Sequence, residues 1–229
     1  MKNEKFLIVA AHPDDAEIGL GGTILKLKSQ GHKVAIIDLT SGEPTPFGTE
    51  QKRKKEAQKA ATRLKVDQRI NLGLPNRYLF DTKEARLLLA EQIRLFKPDI
   101  LLAPYTEDAH PDHQAASQIT EAARFYAKFT KVDLKGKPHY PSYLFYYYCN
   151  HLKTIPKISF LIDISQHFTA KMKVLKCYKS QFIANPKNHF VFSYIEEQNK
   201  YLGKLISCNY AEALFSKEIL KINDLSLLL

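Results

Sequence analysis

The sequence predicts an α/β protein with a parallel, doubly wound sheet. Short apolar runs rich in β-branched residues alternate four times with segments of helical period in the first half of the chain. Helix-stopping residues stand where these segments should end, with Gly31 after Gln30 and Pro98 after Lys97. Because parallel strands need a crossover connection, usually a helix, this alternation favours a parallel sheet covered by helices.

Each element is predicted from its local pattern. Apolar runs bounded by Gly, Pro or Asp predict buried strands at residues 6–11, 33–40, 68–72 and 99–103. Helical period predicts helices at residues 16–30, 50–64, 83–96 and 114–128. After residue 130 the looser pattern predicts strands at 142–149 and 159–164, and helices near 166–181 and 191–206. We find no internal repeat or linker, so we expect one domain over residues 1–229.

The composition narrows the class of protein. No uncharged apolar stretch reaches the roughly 18 residues that a transmembrane helix needs, and the first residues show no cleavage signal. Cys149, Cys177 and Cys208 are widely spaced in a chain large enough to need no disulfides, so they are interpreted as reduced thiols. We therefore expect a cytoplasmic protein with no membrane partner.

The formal net charge of +10 suits an acidic partner. Lys and Arg are spread along the chain, and their one run, at residues 52–55, lies inside a helical pattern. Such a run is more often a solvated helix face than a nucleic-acid surface. We expect a small acidic substrate and no nucleic acid. Nucleic-acid binding, the alternative, would be tested by whether the affinity is weak and falls steeply when salt is added.

Polar residues gather in the loops that follow the four predicted strands. Ligands of open parallel sheets bind beyond the carboxyl ends of the strands, so we expect these loops to meet at one rim. In chain order, the loops contain His12-Pro-Asp-Asp15, Ser41-Gly-Glu-Pro44, Gly73-Leu-Pro-Asn-Arg77 and the segment 105–113. For Ser41 and Asn76, a turn-capping role is the simpler interpretation.

The first loop carries a histidine and two carboxylates within four residues. At the end of a buried strand, this charge is poorly solvated unless a cation binds it. Imidazole and carboxylate both suit zinc, whose catalytic sites use three protein ligands and keep one position for water. His12 and one of the two aspartates are candidate ligands. If Asp15 binds the metal, Asp14 is the free carboxylate beside the water, and helix capping is the competing role for either aspartate.

The second motif, His110-Pro-Asp-His113, follows the fourth strand and opens a helix. Residues three apart at a helix start can face one centre, so one histidine can be the third ligand and the other an acid or oxyanion stabiliser. The spacing leaves open which is which. Asp112 can orient His110 and raise its pKa. The expected chemistry is metal-assisted hydrolysis, with Asp14, His110 and Asp112 as catalytic candidates.

Two other classes compete with a hydrolase. Two histidines and a carboxylate also hold Fe(II) in non-haem oxygenases, although the free Asp14 favours hydrolysis, and Fe(II) remains an alternative metal for the hydrolase. Gly19-Leu-Gly-Gly22 suggests a nucleotide-binding module. Its glycines lie inside the helical pattern and not in the turn after the strand, so close helix–sheet packing explains them better.

The motifs Ala11-His-Pro-Asp-Asp15 and His110-Pro-Asp-His113 together resemble those of the LmbE-like (PIG-L) zinc deacetylases. The resemblance covers nearly the whole chain, including Leu39-Thr-Ser-Gly-Glu43, Leu72-Gly-Leu-Pro75 and the tail from Tyr210 to Lys217. It implies a Rossmann-like sandwich with a mainly parallel sheet and helices on both faces. The tail and length are most similar to the bacillithiol-pathway branch, which deacetylates N-acetylglucosaminyl-malate.

The resemblance also assigns roles to the matching residues. It implies three metal ligands: His12, Asp15 and His113. Asp14 becomes the general base, and His110 becomes the oxyanion stabiliser and general acid. Arg53 would bind sugar hydroxyls, and Tyr194 would approach the acyl oxygen. The branch commonly forms hexamers, so a homo-oligomer is expected.

Two departures from the family pattern concern the substrate. Asn76-Arg77 replaces the Asp-Gly common in the wider family, and Ser41 stands where the bacillithiol branch often has Arg. We expect zinc-dependent hydrolysis of the N-acetyl group of an N-acetylglucosamine conjugate, with N-acetylglucosaminyl-malate as the substrate. Another N-acetylglucosaminide or a chitooligosaccharide is the alternative.

Overall fold

The computed structural model of the chain describes residues 3–154 and 156–221. Its strands are β1 Lys5–Ala10, β2 Lys33–Thr40, β3 Gln68–Leu74, β4 Ile100–Pro104, β5 Tyr143–Tyr147, β6 Phe160–Asp163 and β7 Ala211–Phe215. Its helices are α1 Asp15–Ser29, α2 Glu50–Leu64, α3 Lys83–Phe96, α4 Pro111–Tyr126, α5 Phe168–Leu175, α6 Lys179–Phe182 and α7 Phe190–Leu205, with one 3-10 turn at Pro186–Asn188.

The strands form one sheet in the order β3-β2-β1-β4-β5-β7-β6. Strands β1 to β5 are mutually parallel, whereas β7 is antiparallel to both β5 and β6. The mainly parallel α/β fold is therefore confirmed. From β1 the chain adds β2 and β3 on one side, and from β4 it adds β5 on the other. The carboxyl ends of the neighbouring strands β1 and β4 are therefore the topological switch point of the sheet, where a crevice opens.

Helices cover both faces of the sheet because side chains alternate along the buried strands. Leu7 and Val9 of β1 pack into an apolar cluster with α3 and α4. Ile8 and Ala10 point to the opposite face and pack with α1, α2 and α5. This double burial explains why β1 appears in the sequence as a continuous apolar run.

The structure corrects two sequence predictions in the second half of the chain. Residues 211–215 form strand β7, which the sequence analysis missed because the segment contains no β-branched residue and includes Glu212. The single helix predicted at residues 166–181 is two helices, α5 and α6. Between them Tyr178 is fully buried, and its hydroxyl donates a hydrogen bond to Glu17 Oε1 at 2.8 Å. This tertiary contact lies at the break between the two helices.

None of the helices in residues 3–154 and 156–221 combines the length and apolar character needed to cross a bilayer. The three cysteines are free thiols.

A buried ion pair holds the second half of the sheet to α1. Lys171 Nζ of α5 lies 2.7 Å from Glu212 Oε1 of β7, and both side chains are inaccessible to solvent. Glu212 also accepts the backbone N–H groups of Gly22 and Thr23. Lys171 donates to Asn199 Oδ1 of α7 at 2.8 Å. The network therefore links three helices to one strand.

We predict that Lys171→Met lowers the free energy of unfolding by about 3–5 kcal/mol, because it leaves the Glu212 carboxylate buried without its cation. Denaturant titration measures the loss. Lys135→Met is the matched control, since Lys135 is 79% exposed and its nitrogen lies 3.4 Å from Glu91; it should cost less than about 1 kcal/mol. Equal losses in the two variants would contradict the account.

Candidate metal centre

A cavity of about 320 Å³ opens at the carboxyl ends of β1 and β4, where the strand order predicts a crevice. Most of the predicted site residues line it, together with residues that the sequence analysis did not single out. The ionisable lining residues are His12, Asp14, Asp15, Arg53, Arg77, His110, His113 and His151.

Two histidines from neighbouring strand ends meet the carboxylate of Asp15. His12 Nδ1 lies 3.4 Å from Asp15 Oδ2, and His113 Nε2 lies 3.2 Å from Asp15 Oδ1. A ligand atom from each of the three residues lies within 4.8 Å of the other two. Strand β1 places His12 and Asp15, whereas β4 and the start of α4 place His113. The fold thus brings together the three predicted ligands.

The chemistry of these residues fits a zinc ion. Each histidine nitrogen faces one oxygen of the Asp15 carboxylate, and two imidazoles with a carboxylate are a donor set that catalytic zinc sites use. The far nitrogen of each imidazole faces a carboxylate: His12 Nε2 lies 3.0 Å from Asp112 Oδ2, and His113 Nδ1 lies 3.0 Å from Asp108 Oδ2. Such carboxylates fix the tautomer, so that the nitrogen facing Asp15 keeps its lone pair for a metal.

The electrostatics of the cluster also favour a cation. Burial opposes protonation of His12, but Asp15 and Asp112 outweigh it and raise the pKa of His12 to about 9. Burial similarly opposes protonation of His113, whose pKa is nevertheless held well above its usual value, chiefly by Asp15. The buried Asp15 therefore draws positive charge into the site, which protons or a divalent ion can supply.

Asp14 stands beside this cluster with its side chain turned away from the helix that it begins. It is the N-cap residue of α1 but makes no capping hydrogen bond, and its φ of 129° is one that L residues rarely adopt. Such backbone strain persists where surrounding contacts hold the residue in place. Burial raises the pKa of Asp14 to about 6, even though Arg53 counteracts this rise.

Arg53 of α2 holds Asp14 in the cavity wall. Its Nη1 donates to Asp14 Oδ2 at 2.8 Å, and its Nε lies 3.4 Å from Glu43 Oε1. The arginine is 4% exposed, whereas its neighbours in the basic run are exposed. Arg53 lines the cavity, as the sequence analysis predicts, but both neighbouring carboxylates already compensate its charge.

His110 also lines the cavity. Its ring stacks on His113 with centroids 4.8 Å apart, and its Nδ1 accepts the backbone N–H of Asp112 at 3.2 Å. Burial, together with the neighbouring His113, lowers the pKa of His110 to about 4. The neutral ring then carries its proton on Nε2, which makes that atom a hydrogen-bond donor.

The structure changes the expected partner of Asp112. The sequence analysis expected its carboxylate to orient His110 and raise the pKa of that histidine. Its charge does act to raise the pKa of His110, although burial and His113 outweigh it, but its hydrogen bonds go to His12 and to the backbone N–H groups of Arg77 and Leu79. The reason is geometric, because the first turn of α4 directs Asp112 back toward β1. It contacts His110 only through its own backbone N–H.

Other residues are placed differently from what the sequence suggests. Tyr194 lies half-buried on α7 against the apolar cluster of α1 and α2, and it is not among the residues that line the cavity. Asp108 and Glu43 were missed as partners of His113 and Arg53, although each lies in a loop that the sequence analysis had already marked. His151 follows β5, where no sequence pattern indicated a functional residue.

Two imidazoles and a carboxylate at a strand-end crevice, with a further carboxylate beside them, are an arrangement typical of metal-dependent hydrolases. The chain belongs to the PIG-L family, since the family model described as GlcNAc-PI de-N-acetylase matches residues 7–124.

Two relatives of this chain are deacetylases by name, and one solved structure is similar over nearly the whole chain. A diacetylchitobiose deacetylase of Thermococcus kodakarensis is 30% identical over 228 residues, covering 92% of this chain and 82% of the relative. A probable N-acetyl-alpha-D-glucosaminyl L-malate deacetylase 2 of Bacillus anthracis is 26% identical, covering 80% of this chain and 84% of the relative. The crystal structure of a conserved protein from Thermus thermophilus, TT1542, shares 37% identity and a TM-score of 0.87, over 97% of this chain and 98% of that one. The chain is thus a metal-dependent N-deacetylase of the N-acetylglucosaminide type.

We predict that His113→Ala abolishes tight metal binding and hydrolysis while leaving the fold intact, because it removes one of three ligands. Elemental analysis of purified protein and circular dichroism test this. His151→Ala is the matched control, since His151 lines the same cavity but lies outside the ligand cluster, and it should keep its metal. Full metal occupancy in His113→Ala would refute the ligand assignment.

Proposed function

We propose that the chain uses zinc held by His12, Asp15 and His113 to hydrolyse the N-acetyl group of an N-acetylglucosaminide with an acidic aglycone, N-acetylglucosaminyl-malate in the first instance. The observation that carries this proposal is the convergence of the three ligand atoms beside a separate carboxylate, Asp14. The name of the Bacillus anthracis relative supports the malate conjugate.

When held by these three residues, zinc would polarise the acyl oxygen and lower the pKa of a water molecule to about 7. The same ligand set also suits Fe(II), so elemental analysis of protein purified without chelators decides the native metal.

In the proposed mechanism, Asp14 moves the protons. It accepts a proton from the attacking water as the carbon–oxygen bond forms, and it returns that proton to the amide nitrogen as the carbon–nitrogen bond breaks. The products are acetate and the free amine. Arg53 holds the Asp14 carboxylate at the cavity wall through a 2.8 Å contact, so the base need not reorganise during the reaction.

His110 and Arg53 complete the proposed site. The Nε2–H of His110 can donate to the acyl oxygen as negative charge develops there, since its Nδ1 is already an acceptor. Arg53 is proposed to contact sugar hydroxyls in addition to holding Asp14, because it lines the cavity. The approach of Tyr194 to the acyl oxygen stays a prediction.

Diacetylchitobiose is a second candidate substrate, favoured by the Thermococcus kodakarensis relative. The two candidates differ in the charge of the group attached to the sugar. Release of acetate from metal-loaded protein, measured for N-acetylglucosaminyl-malate, diacetylchitobiose and methyl N-acetylglucosaminide, tests the proposal. The malate conjugate should have the highest kcat/KM. The absence of acetate release from all three would overturn the proposed function.

We predict that Asp14→Asn keeps the metal but lowers kcat by about 10²–10⁴-fold, the usual contribution of a positioned acid or base. Elemental analysis and steady-state kinetics on the same preparation separate the two effects. Asp133→Asn, an exposed carboxylate outside the cavity lining, is the matched control and should be unchanged. Loss of metal from Asp14→Asn would mean that the roles of Asp14 and Asp15 are reversed.

A further inference from the structure

We propose that Arg77 is the residue that selects a carboxylate-bearing aglycone, by binding that carboxylate at the mouth of the cavity. This inference rests on the proposed function, and it identifies a specificity determinant that the sequence analysis mentioned only as a departure from the family pattern.

The charges of the cavity lining single out Arg77. Arg53, the other arginine in the lining, faces the carboxylates of Asp14 and Glu43 and is buried. Arg77 is exposed at the mouth, and among the residues that the structure describes no carboxylate lies within ion-pair distance of its guanidinium. Its positive charge is therefore available to a ligand.

The guanidinium of Arg77 is held by a hydrogen bond that uses only part of its N–H donors. Its Nη2 donates to the carbonyl of Pro44 at 2.6 Å, so the side chain reaches from the loop after β3 to the loop after β2. A guanidinium has several donors in a planar fork, and the remaining ones match the two oxygens of a carboxylate. The contact with Pro44 already restricts rotation of the Arg77 side chain. Binding of a carboxylate therefore costs less side-chain entropy.

The backbone of Arg77 is tied to the metal centre. Its N–H donates to Asp112 Oδ2 at 2.8 Å, and the same oxygen lies 3.0 Å from Nε2 of the proposed ligand His12. The φ of Arg77 is 67°, a left-handed conformation in which glycine would be less strained. The backbone therefore gives no reason for an arginine here, whereas a contact made by the side chain does.

The chemistry of the substrate places an aglycone near this residue. In N-acetylglucosamine the acetamide and the aglycone are attached to adjacent ring carbons. When the acetamide carbonyl reaches the metal centre, the aglycone therefore lies close to that centre, and in our proposal it extends toward the cavity mouth. A carboxylate on a short aglycone such as malate can then meet Arg77, whereas the second sugar of diacetylchitobiose offers no charge there.

The test compares kcat/KM for N-acetylglucosaminyl-malate and for its dimethyl ester, which has the same skeleton without the charges. At low salt the wild-type protein should prefer the acid by about 10-fold or more, the usual size of a hydrogen bond to a charged group. Both Arg77→Gln and Arg77→Gly should lose most of this preference. Arg77→Gly removes the strain of the left-handed backbone conformation, so we expect this variant to fold. Comparison of its thermal unfolding midpoint with that of the wild type shows whether a lost preference reflects a folding defect.

Arg63→Gln is the control for long-range electrostatics. Arg63 is exposed on α2 and does not line the cavity, so its substitution removes the same charge elsewhere and should keep the preference for the acid. An unchanged preference in folded Arg77→Gly would overturn the role of Arg77 alone. Equal kcat/KM for acid and ester in the wild type would overturn both that role and the preference for an acidic aglycone, while leaving N-deacetylation intact. Inactivity of the wild type on every glucosaminide would instead overturn the proposed function itself.

Discussion

The carboxylate of Asp15, buried between two imidazoles, is the interaction on which the rest of the site depends. One imidazole comes from the loop after β1 and the other from the helix after β4, so their meeting requires those two strands to be neighbours. The parallel pairing of β1 with β4 at the switch point of the sheet satisfies this requirement. Both strands are buried on both faces, which makes their relative position rigid.

The other carboxylates around this centre orient the histidines and position the loops that form the cavity. Asp112 and Asp108 each face the far nitrogen of one histidine. Asp112 also accepts the backbone N–H groups of Arg77 and Leu79, and Asp108 accepts that of His110. The loops that form the cavity are therefore fastened to the same groups that orient the ligand imidazoles. Asp14 is held by Arg53 instead, which keeps it separate from the metal cluster. This separation is what the proposed mechanism requires, with one carboxylate for the metal and its neighbour for proton transfer.

The sequence was sufficient to predict the first half of the fold and that His12, Asp15 and His113 lie close together. The strands there are continuous apolar runs, and the two His-Pro-Asp motifs stand directly at their ends, so local pattern and topology agree. Contacts made across the structure could not be predicted in the same way. Asp112 lies two residues from His110 in sequence yet orients His12, because the first turn of α4 directs its side chain across the crevice. Strand β7 was missed because Glu212 is stabilised by Lys171, a partner on a different element.

A crystal structure of the zinc-loaded protein, with anomalous diffraction measured at the zinc absorption edge, tests the central claim most directly. The account predicts one strong peak within bonding distance of His12 Nδ1, the Asp15 carboxylate and His113 Nε2, with Asp14 close by but not bound. Two other groups of side chains in the described residues have suitable donors: His12 with His110 and Asp112, and Asp108 with His113 and Cys149. A peak centred on either of those groups, or bonded to Asp14, would contradict the account.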